Sequence, residues 1–347
     1  MMATRRDFGG LLMAGVTTAA LPAARDRPFI LEGRLAELKD RLRAGFPGVT
    51  LHAKWQGPRL LLHTAGTSDT VYLDIIVDEG APRTVRLSRE RQVVEVYSGP
   101  GGPHRVEIRR RGESWQGQWD LFDVEAPDGR WLAPPILPAR KLMFIGDSIT
   151  CGEAADVRRE EIHNDIALAN AYLSFGKVLA RHLNAQCHLI AAGGRGLMRD
   201  WEGINDDTTA PRFYERASLD EALNWDHQRY VPDAIGICLG TNDFSSGIPD
   251  ERVFISTLVA FVEKVRRDAP SAGIVLIDSP ILTDKGTPKR SALRAYLDGA
   301  ARRLADPRVV RAAVAHYPGR PVNAHPVAEE HAAIAQELEP AFSRLLA

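Results

Sequence analysis

The pattern of apolar and polar positions changes character about a third of the way along the chain. Between about residues 45 and 131, short apolar or alternating runs are separated by turn-forming residues. The clearest runs cover residues 59–63, 71–77, 92–97 and 104–108, and glycine- and proline-rich turns such as 99–103 lie between them. Many short strands at regular spacing predict a small β-sandwich. A short helix over residues 35–42 is expected before it.

The remainder of the chain alternates between apolar runs and segments with helical periodicity. The proline-rich segment 133–138 ends the first pattern because proline continues neither a helix nor a central strand. Apolar runs follow at residues 142–145, 188–191, 234–239, 274–277 and 309–314, and helical spacing is clearest in 175–183, 255–265 and 331–346. This alternation predicts a doubly wound parallel sheet in a three-layer α/β/α arrangement. The predicted domains are therefore a β-sandwich over 26–135 and an α/β domain over 136–347.

The first 25 residues are interpreted as a signal peptide. Arg5 and Arg6 precede an apolar run over residues 9–20, and small residues follow near 20–26. Paired arginines before a short apolar segment are typical of the twin-arginine export route. The sequence therefore predicts a periplasmic or secreted protein with the twin-arginine export machinery as a partner, the alternative being an ordinary tail with two arginines. Later apolar stretches are shorter than the ~18–20 residues that a membrane span needs.

Composition narrows the function classes. The 44 Lys and Arg balance 45 Asp and Glu, which argues against a general nucleic-acid binder. The three cysteines form neither a disulfide framework nor a metal-ligand pattern with histidine. The segment Gly193-Gly194-Arg195-Gly196 lacks the spacing of a dinucleotide-binding loop. We therefore expect no metal and no cofactor.

Polar residues suited to acyl transfer follow the predicted strands of the second domain. Ser148 follows the first strand, Gly194 the second and Asn242 the third, while His325 lies beyond the last. Carboxyl ends of parallel strands form the ligand-binding edge of such sheets. A hydroxyl, a backbone N–H, an amide and an imidazole are the groups that nucleophilic acyl transfer requires. Each has an ordinary structural explanation, as a helix cap, a turn residue or a surface histidine, but their joint occurrence favours an active site.

These motifs resemble those of the SGNH hydrolases, the GDSL-like esterases. The matching blocks are Gly146-Asp147-Ser148, Gly194, Gly240-Thr241-Asn242-Asp243 and His325-Pro326. More narrowly, segments 144–152, 188–197 and 239–245, with Ser114-Trp115 near the domain junction, are similar to the acetyl-esterases of carbohydrate esterase family two. That family places a small jelly-roll domain before the hydrolase domain.

The resemblance implies a role for each matching residue. Ser148 would be the nucleophile and His325 the base, while the N–H groups of Ser148 and Gly194 with the Asn242 side chain would form the oxyanion hole. Asp147 is expected to be a structural acceptor in the turn. The implied substrate is a carbohydrate ester, such as acetylated xylan or an acetylated oligosaccharide.

The residues just before His325 depart from the pattern of many relatives. Those relatives place an aspartate two or three residues before the histidine, whereas this chain has Val322 and Asn323. Asn323 can accept a hydrogen bond from the imidazole and orient it, but it brings no negative charge. The sequence therefore predicts a Ser–His dyad.

Substrate contacts are predicted from Arg195, Trp201 and Trp225, because aromatic faces suit sugar rings. For Trp225, packing beneath the loops is an equally good interpretation. The segment 198–225 has few helix or strand signals, which is typical of a binding loop. Two alternatives stay open: an esterase for small-acyl aryl or lipid esters, and a carbohydrate-binding protein on a catalytically decayed hydrolase fold.

Overall fold

The computed structural model describes residues 27–157, 166–205, 208–219, 222–320 and 324–347. The predicted signal peptide and Asn323 lie outside the described residues. Among the helices that are described, none has both the length and the apolar character needed to cross a bilayer.

The first part of the chain forms an antiparallel sheet around its own core. Its strands run β2-β3-β8-β4-β7-β5-β6, and β1 and β9 both pair with β4. The strands are β1 Phe29–Glu32, β2 Ala36–Glu37, β3 Leu42–Ala44, β4 Thr50–Gly66, β5 Tyr72–Val77, β6 Arg83–Arg86, β7 Gln92–Arg110, β8 Trp119–Glu125 and β9 Arg130–Trp131. Alternate residues of β4, such as Leu60 and Leu62, are fully buried and pack with Trp55 and Trp119 in one apolar cluster.

Two local predictions in this part are wrong. The segment 99–103, expected as a turn, lies inside β7, where a register shift opposite Gly57 and Arg59 accommodates the extra residues. Bulges of this kind tolerate glycine and proline because the ladder is locally interrupted. The expected helix over 35–42 is instead the hairpin of β2 and β3, in which Ala36 pairs with Arg43. Leu35 and Leu42 are buried in the sheet's core, so tertiary packing overrides the local helical spacing.

The second part contains a five-stranded parallel sheet covered on both faces. Its strand order is β11-β10-β12-β13-β14, with strands β10 Arg140–Gly146, β11 Ala185–Ala191, β12 Ala234–Cys238, β13 Gly273–Ile277 and β14 Val309–Ala312. The helices are α1 Ser148–Cys151, α2 Phe175–His182, α3 Ala210–Phe213, α4 Glu251–Asp268, α5 Lys289–Leu304 and α6 Ala328–Leu346.

Alternate residues of each strand serve two separate cores. Leu142 and Phe144 of β10 pack in the cluster that holds α2 and α6, while Met143 and Ile145 pack in the cluster that holds α4 and α5. Strands buried on both faces are typical of parallel sheets. The predicted fold class is therefore confirmed: a doubly wound α/β domain follows an antiparallel β domain. The exact boundary at residue 135 stays a prediction.

Glu32 of β1 ties the two parts of the chain together. Its Oε1 accepts hydrogen bonds from Lys177 Nζ at 2.7 Å and from the backbone N–H of Cys187 at 2.9 Å. Burial alone would raise the pKa of Glu32, but the Lys177 ammonium and His52 outweigh it and hold that pKa well below its usual range. A carboxyl group with a depressed folded-state pKa stabilises the fold above its unfolded pKa of about 4.3, and this contribution is lost as the pH falls below that value.

Replacing Lys177 with methionine is expected to lower the free energy of unfolding by about 3 kcal/mol at pH 7, because it leaves the Glu32 charge buried without its ammonium partner. The loss is expected to shrink as the pH falls from 7 toward 4, because without the ammonium burial raises the pKa of Glu32 in the variant and the carboxyl group takes up a proton. Denaturant unfolding at pH 7 and pH 4 measures both values. The exposed Lys285→Met change removes the same charge as a control, and an equal loss in both variants would contradict the assignment.

Candidate active site

The nucleophile candidate Ser148 stands at the start of the short helix α1, directly after β10. Asp147 caps this helix, since its Oδ1 accepts the backbone N–H of Ile149 at 3.1 Å. Burial raises the pKa of Asp147 to about 7, although hydrogen bonds to Ile149 and Thr241 oppose the shift. Asp147 therefore acts as the structural acceptor that the sequence predicts. The turn leaves Ser148 at the carboxyl edge of the sheet, where ligands bind in such folds.

His325 contacts Ser148 directly. The Oγ of Ser148 lies 2.8 Å from Nε2 of His325, within hydrogen-bond distance. The histidine belongs to the segment between β14 and α6, and Gly319 packs so closely against its backbone that an added Cβ would lie 1.7 Å from the His325 carbonyl oxygen. Behind it, burial and the neighbouring His325 lower the pKa of His331 to about 3. His331 is therefore neutral at ordinary pH and adds no positive charge to the site.

The ends of β11 and β12 bring two further predicted oxyanion donors to the same edge of the sheet as Ser148. Gly194 follows β11 with φ 73°, a conformation that favours glycine, and Asn242 follows β12. The Nδ2 of Asn242 donates to the carbonyl of Arg195 at 3.0 Å and to Asp147 Oδ2 at 3.3 Å. One amide thus joins the three segments that follow β10, β11 and β12. Ser148, Gly194, Asn242 and His325 all line one cleft of about 580 Å³.

The loop that carries Gly194 is held by the carboxyl group of Asp243. Its Oδ2 accepts the N–H of Leu197 at 2.8 Å, and its Oδ1 accepts the N–H groups of Met198 at 2.7 Å and Arg199 at 3.3 Å. Burial raises the pKa of Asp243, and these backbone N–H groups partly offset the shift. The Asn-Asp pair after β12 therefore has two tasks: Asn242 faces the cleft, and Asp243 fixes the loop beside it.

Two exposed tryptophans flank the cleft, one from each part of the chain. Trp201 is 58% exposed and lies beside Gly194, whose carbonyl accepts its backbone N–H at 3.0 Å. Trp115 is 57% exposed and belongs to the connection between β7 and β8. Arg195 also lines the cleft and lies 3.5 Å from Asp200. Of the two interpretations of Trp225, substrate contact is wrong and packing is confirmed: the ring is 7% exposed, packs in the core near the Arg34 guanidinium and does not line the cleft.

Several cleft residues were not predicted from the sequence. The most notable are Trp115 and Glu153, and the Oε2 of Glu153 lies 3.5 Å from Nε2 of His325. The others that line the cleft are Gly193, Asp200, Glu202, Thr241, Ser245 and Ile281. The one available signal was the family-like Ser114-Trp115 pair near the domain junction. Because Asn323 lies outside the described residues, the Ser–His dyad and the orienting role of Asn323 stay predictions.

Away from the cleft, Glu215, His227 and Asp268 form a group whose ligand atoms lie within 4.8 Å of one another. Lys264 already supplies positive charge there, since its Nζ lies 2.8 Å from Glu215 and 2.6 Å from Asp268. Two carboxylates and an imidazole around an ammonium group form an ordinary ion-pair network. This group therefore gives no reason to change the expectation that the protein uses no metal.

Both parts of the chain match families of known proteins. Residues 144–338 match the GDSL-like lipase/acylhydrolase family, and residues 31–135 match the carbohydrate esterase 2 N-terminal domain. A protein of Cellvibrio japonicus named acetylxylan esterase / glucomannan deacetylase is 39% identical over 308 residues, covering 88% of this chain and 85% of that protein.

Solved structures agree with the sequence matches. A family two carbohydrate esterase from Cellvibrio japonicus superposes with a TM-score of 0.89 at 38% identity, covering 94% of this chain and 97% of that one. A family two carbohydrate esterase from Clostridium thermocellum, in complex with cellohexaose, superposes with a TM-score of 0.84 at 25% identity, covering 92% and 99%. Both likenesses extend across the antiparallel and the parallel sheet.

Proposed function

The chain belongs to the GDSL-like lipase/acylhydrolase family, among the family two carbohydrate esterases, and from this premise we propose that it removes O-acetyl groups from carbohydrate. The observation that carries the proposal is the 2.8 Å contact between Ser148 Oγ and His325 Nε2 inside a cleft flanked by exposed tryptophans. The contact joins a nucleophile to a base, and the aromatic faces suit sugar rings.

In the first half of the reaction, Ser148 Oγ attacks the acetyl carbonyl carbon while Nε2 of His325 takes the serine proton. The carbonyl oxygen becomes an oxyanion, and the N–H groups of Ser148 and Gly194 and the amide of Asn242 are the donors proposed to stabilise it. The bond to the sugar oxygen then breaks, and the proton on Nε2 passes to that oxygen. The deacetylated sugar leaves, and the acetyl group stays on Ser148.

In the second half, water replaces the sugar as the attacking group. Nε2 of His325 takes a proton from the water as its oxygen attacks the acetyl carbon, and the same donors stabilise the second oxyanion. Collapse returns the proton to Ser148 Oγ and releases acetate. The Asn242 amide donates to Arg195 and Asp147 in this structure, so the proposed oxyanion contact requires that one of these two hydrogen bonds be given up.

The walls of the cleft support a carbohydrate substrate. Trp115 and Trp201 expose more than half of their surface, although side chains of this size are usually buried. Exposed aromatic faces at a cleft are the surfaces on which sugar rings stack. The polar residues Asp200, Glu202 and Ser245 line the same cleft and can accept hydrogen bonds from sugar hydroxyls.

Acetate release from acetylated xylan and acetylated glucomannan tests the proposal, together with hydrolysis of p-nitrophenyl acetate and p-nitrophenyl octanoate. We expect acetate from at least one polymer and octanoate hydrolysis at least about tenfold slower than acetate hydrolysis, the discrimination that a hydrophobic pocket gives for chain length. Faster octanoate hydrolysis would favour a lipid esterase. Saccharide binding without turnover, unaffected by Ser148→Ala, would favour the carbohydrate-binding alternative.

We also propose that the protein is exported by the twin-arginine route and acts in the periplasm or outside the cell. The support is the Arg5-Arg6 pair before an apolar run and small residues. Replacing both arginines with lysine is expected to leave the full-length chain in the cytoplasm. Processed protein in the periplasmic fraction of that variant would contradict the route.

A further inference from the structure

Two carboxyl groups, one in the cleft and one buried beside it, have no part in the mechanism given above. The first is Glu153, which follows α1. Gly152 ends that helix in the left-handed conformation with φ 78°, and the backbone N–H of Glu153 then donates to the Ser148 carbonyl at 3.1 Å. This turn sends the Glu153 side chain into the cleft, where its Oε2 lies 3.5 Å from His325 Nε2.

The second carboxyl group belongs to Glu113, which comes from the antiparallel domain and is completely buried. Its Oε2 accepts Trp115 Nε1 at 3.1 Å and lies so close to Gly193 that an added Cβ would be 1.8 Å away. Burial raises the pKa of Glu113 well above its usual range, and the adjoining Glu153 and Asp147 carboxyl groups raise it further. Burial and these neighbours therefore favour the neutral form of Glu113, whereas Glu153 reaches the cleft.

The other charged and titratable groups near this pair fix its electrostatics. Asp147, which caps α1, and Cys151, which ends it, face the pair, and burial raises the pKa of both. The guanidinium of Arg110 donates to the backbone carbonyls of Gly112 and Glu113. Across the cleft stand Arg195, Asp200 and Glu202, and His331 lies behind His325.

We propose that Glu153, backed by the buried Glu113, is the carboxylate that stabilises the positively charged His325 during acyl transfer. The inference rests on the proposed function. When Nε2 takes the serine proton, the imidazole becomes a cation 3.5 Å from the Glu153 oxygen, and an opposite charge at that distance favours the charged form. Ser148 Oγ is closer, at 2.8 Å, so the serine keeps the hydrogen bond and Glu153 acts through its charge. The sequence has Val322 and Asn323 where many relatives have an aspartate, and neither brings this charge.

Glu153 and Glu113 are thus positioning residues, and their effect appears in a pH profile. Removing a negative charge beside His325 lowers the pKa of the imidazole, so the acid limb of the kcat/KM profile moves to lower pH. We expect Glu153→Gln to move that limb down by about one unit and to lower kcat about tenfold or more at pH 7, with KM little changed. The exposed Glu263→Gln change removes an equal charge from α4 and is the matched control. A lower kcat with an unmoved acid limb would overturn the proposal, since a structural defect has that effect.

Titration of the His325 ring by nuclear magnetic resonance tests the effect of the Glu153 charge on His325 and requires no turnover. In the Ser148→Ala background, Glu153→Gln is expected to lower the pKa of His325 by about one unit. This holds even if no acetylated substrate is hydrolysed, so failure of the proposed function and failure of this inference are distinguishable. An unchanged His325 pKa would overturn the inference while leaving the esterase assignment intact.

The role of Glu113 is tested by coupling to Glu153. Glu113→Ala removes the side chain that adjoins Glu153, so it is expected to produce part of the shift in the acid limb. The double variant is expected to shift the acid limb no further than Glu153→Gln alone. Circular dichroism confirms folding, and Glu113→Gln keeps the side-chain volume if the alanine variant does not fold. Fully additive shifts would show that the two carboxyl groups act independently and would overturn the coupling.

Discussion

Replacing Ser148 with alanine is expected to lower kcat for acetate release by about 10⁴- to 10⁶-fold, because no atom then remains to carry the acetyl group. His325→Ala is expected to cause a loss of similar size, since Ser148 Oγ loses the base that lies 2.8 Å away. The double variant should be no worse than either single variant, because the two side chains act as one unit. Initial rates on p-nitrophenyl acetate and on acetylated xylan measure all three.

The matched control for the serine is Ser256→Ala on α4, whose hydroxyl donates to the Val253 carbonyl at 3.0 Å and does not line the cleft. Its activity should equal that of the unaltered protein. Residual activity of Ser148→Ala within about tenfold of the unaltered protein would contradict a covalent mechanism at this residue, because oxyanion stabilisation and binding alone retain only a small part of the rate enhancement.

Replacing Asn242 with alanine is expected to lower kcat by about 10²- to 10³-fold with a much smaller effect on KM, the usual result of removing one oxyanion donor. Asn242→Asp should be at least as damaging, because it places a carboxylate where negative charge develops. Steady-state kinetics on p-nitrophenyl acetate separates kcat from KM. A large rise in KM with kcat unchanged would instead assign Asn242 to substrate binding.

Asn242 also holds the Arg195 carbonyl and Asp147, so both variants require a stability control. Thermal unfolding should show a shift of a few degrees at most, because Asp243 still fixes the neighbouring loop through Leu197 and Met198. A large drop in Tm together with the loss of activity would indicate a collapsed loop rather than a lost donor.

The parallel sheet was predictable because its strands are buried on both faces. Runs such as residues 142–145 are continuously apolar, and that pattern is distinct from the alternation of a half-exposed sheet. The edge that carries the candidate site followed from the same reasoning, since Ser148, Gly194 and Asn242 each come three residues after the end of such a run. The structure brings these three residues and His325 into one cleft.

The residues in and beside the cleft that the sequence did not predict were missed for a common physical reason. Trp115 reaches the cleft, and the buried Glu113 lies against Gly193, only because the antiparallel domain packs against the end of β11, where Ser114 Oγ donates to the Ala191 carbonyl at 2.9 Å. Nothing in their local sequence encodes that docking. Glu153 depends on the left-handed turn at Gly152, which directs the chain back over Ser148. For Trp225 the sequence left substrate contact and packing open, and the structure places its ring in the core beside Arg34.

The shared cleft has a consequence for how such proteins can be divided and recombined. A fragment beginning at residue 136 keeps Ser148, Asn242 and His325. It loses Trp115, which lines the cleft, and Glu113, which adjoins Glu153. We expect the two domains to be inherited as one unit for this reason, unlike modules joined by a free linker. We expect exchange of the antiparallel domain between relatives to transfer part of the sugar preference, so engineered chimaeras offer a route to altered selectivity that leaves Ser148, His325 and the proposed oxyanion donors untouched.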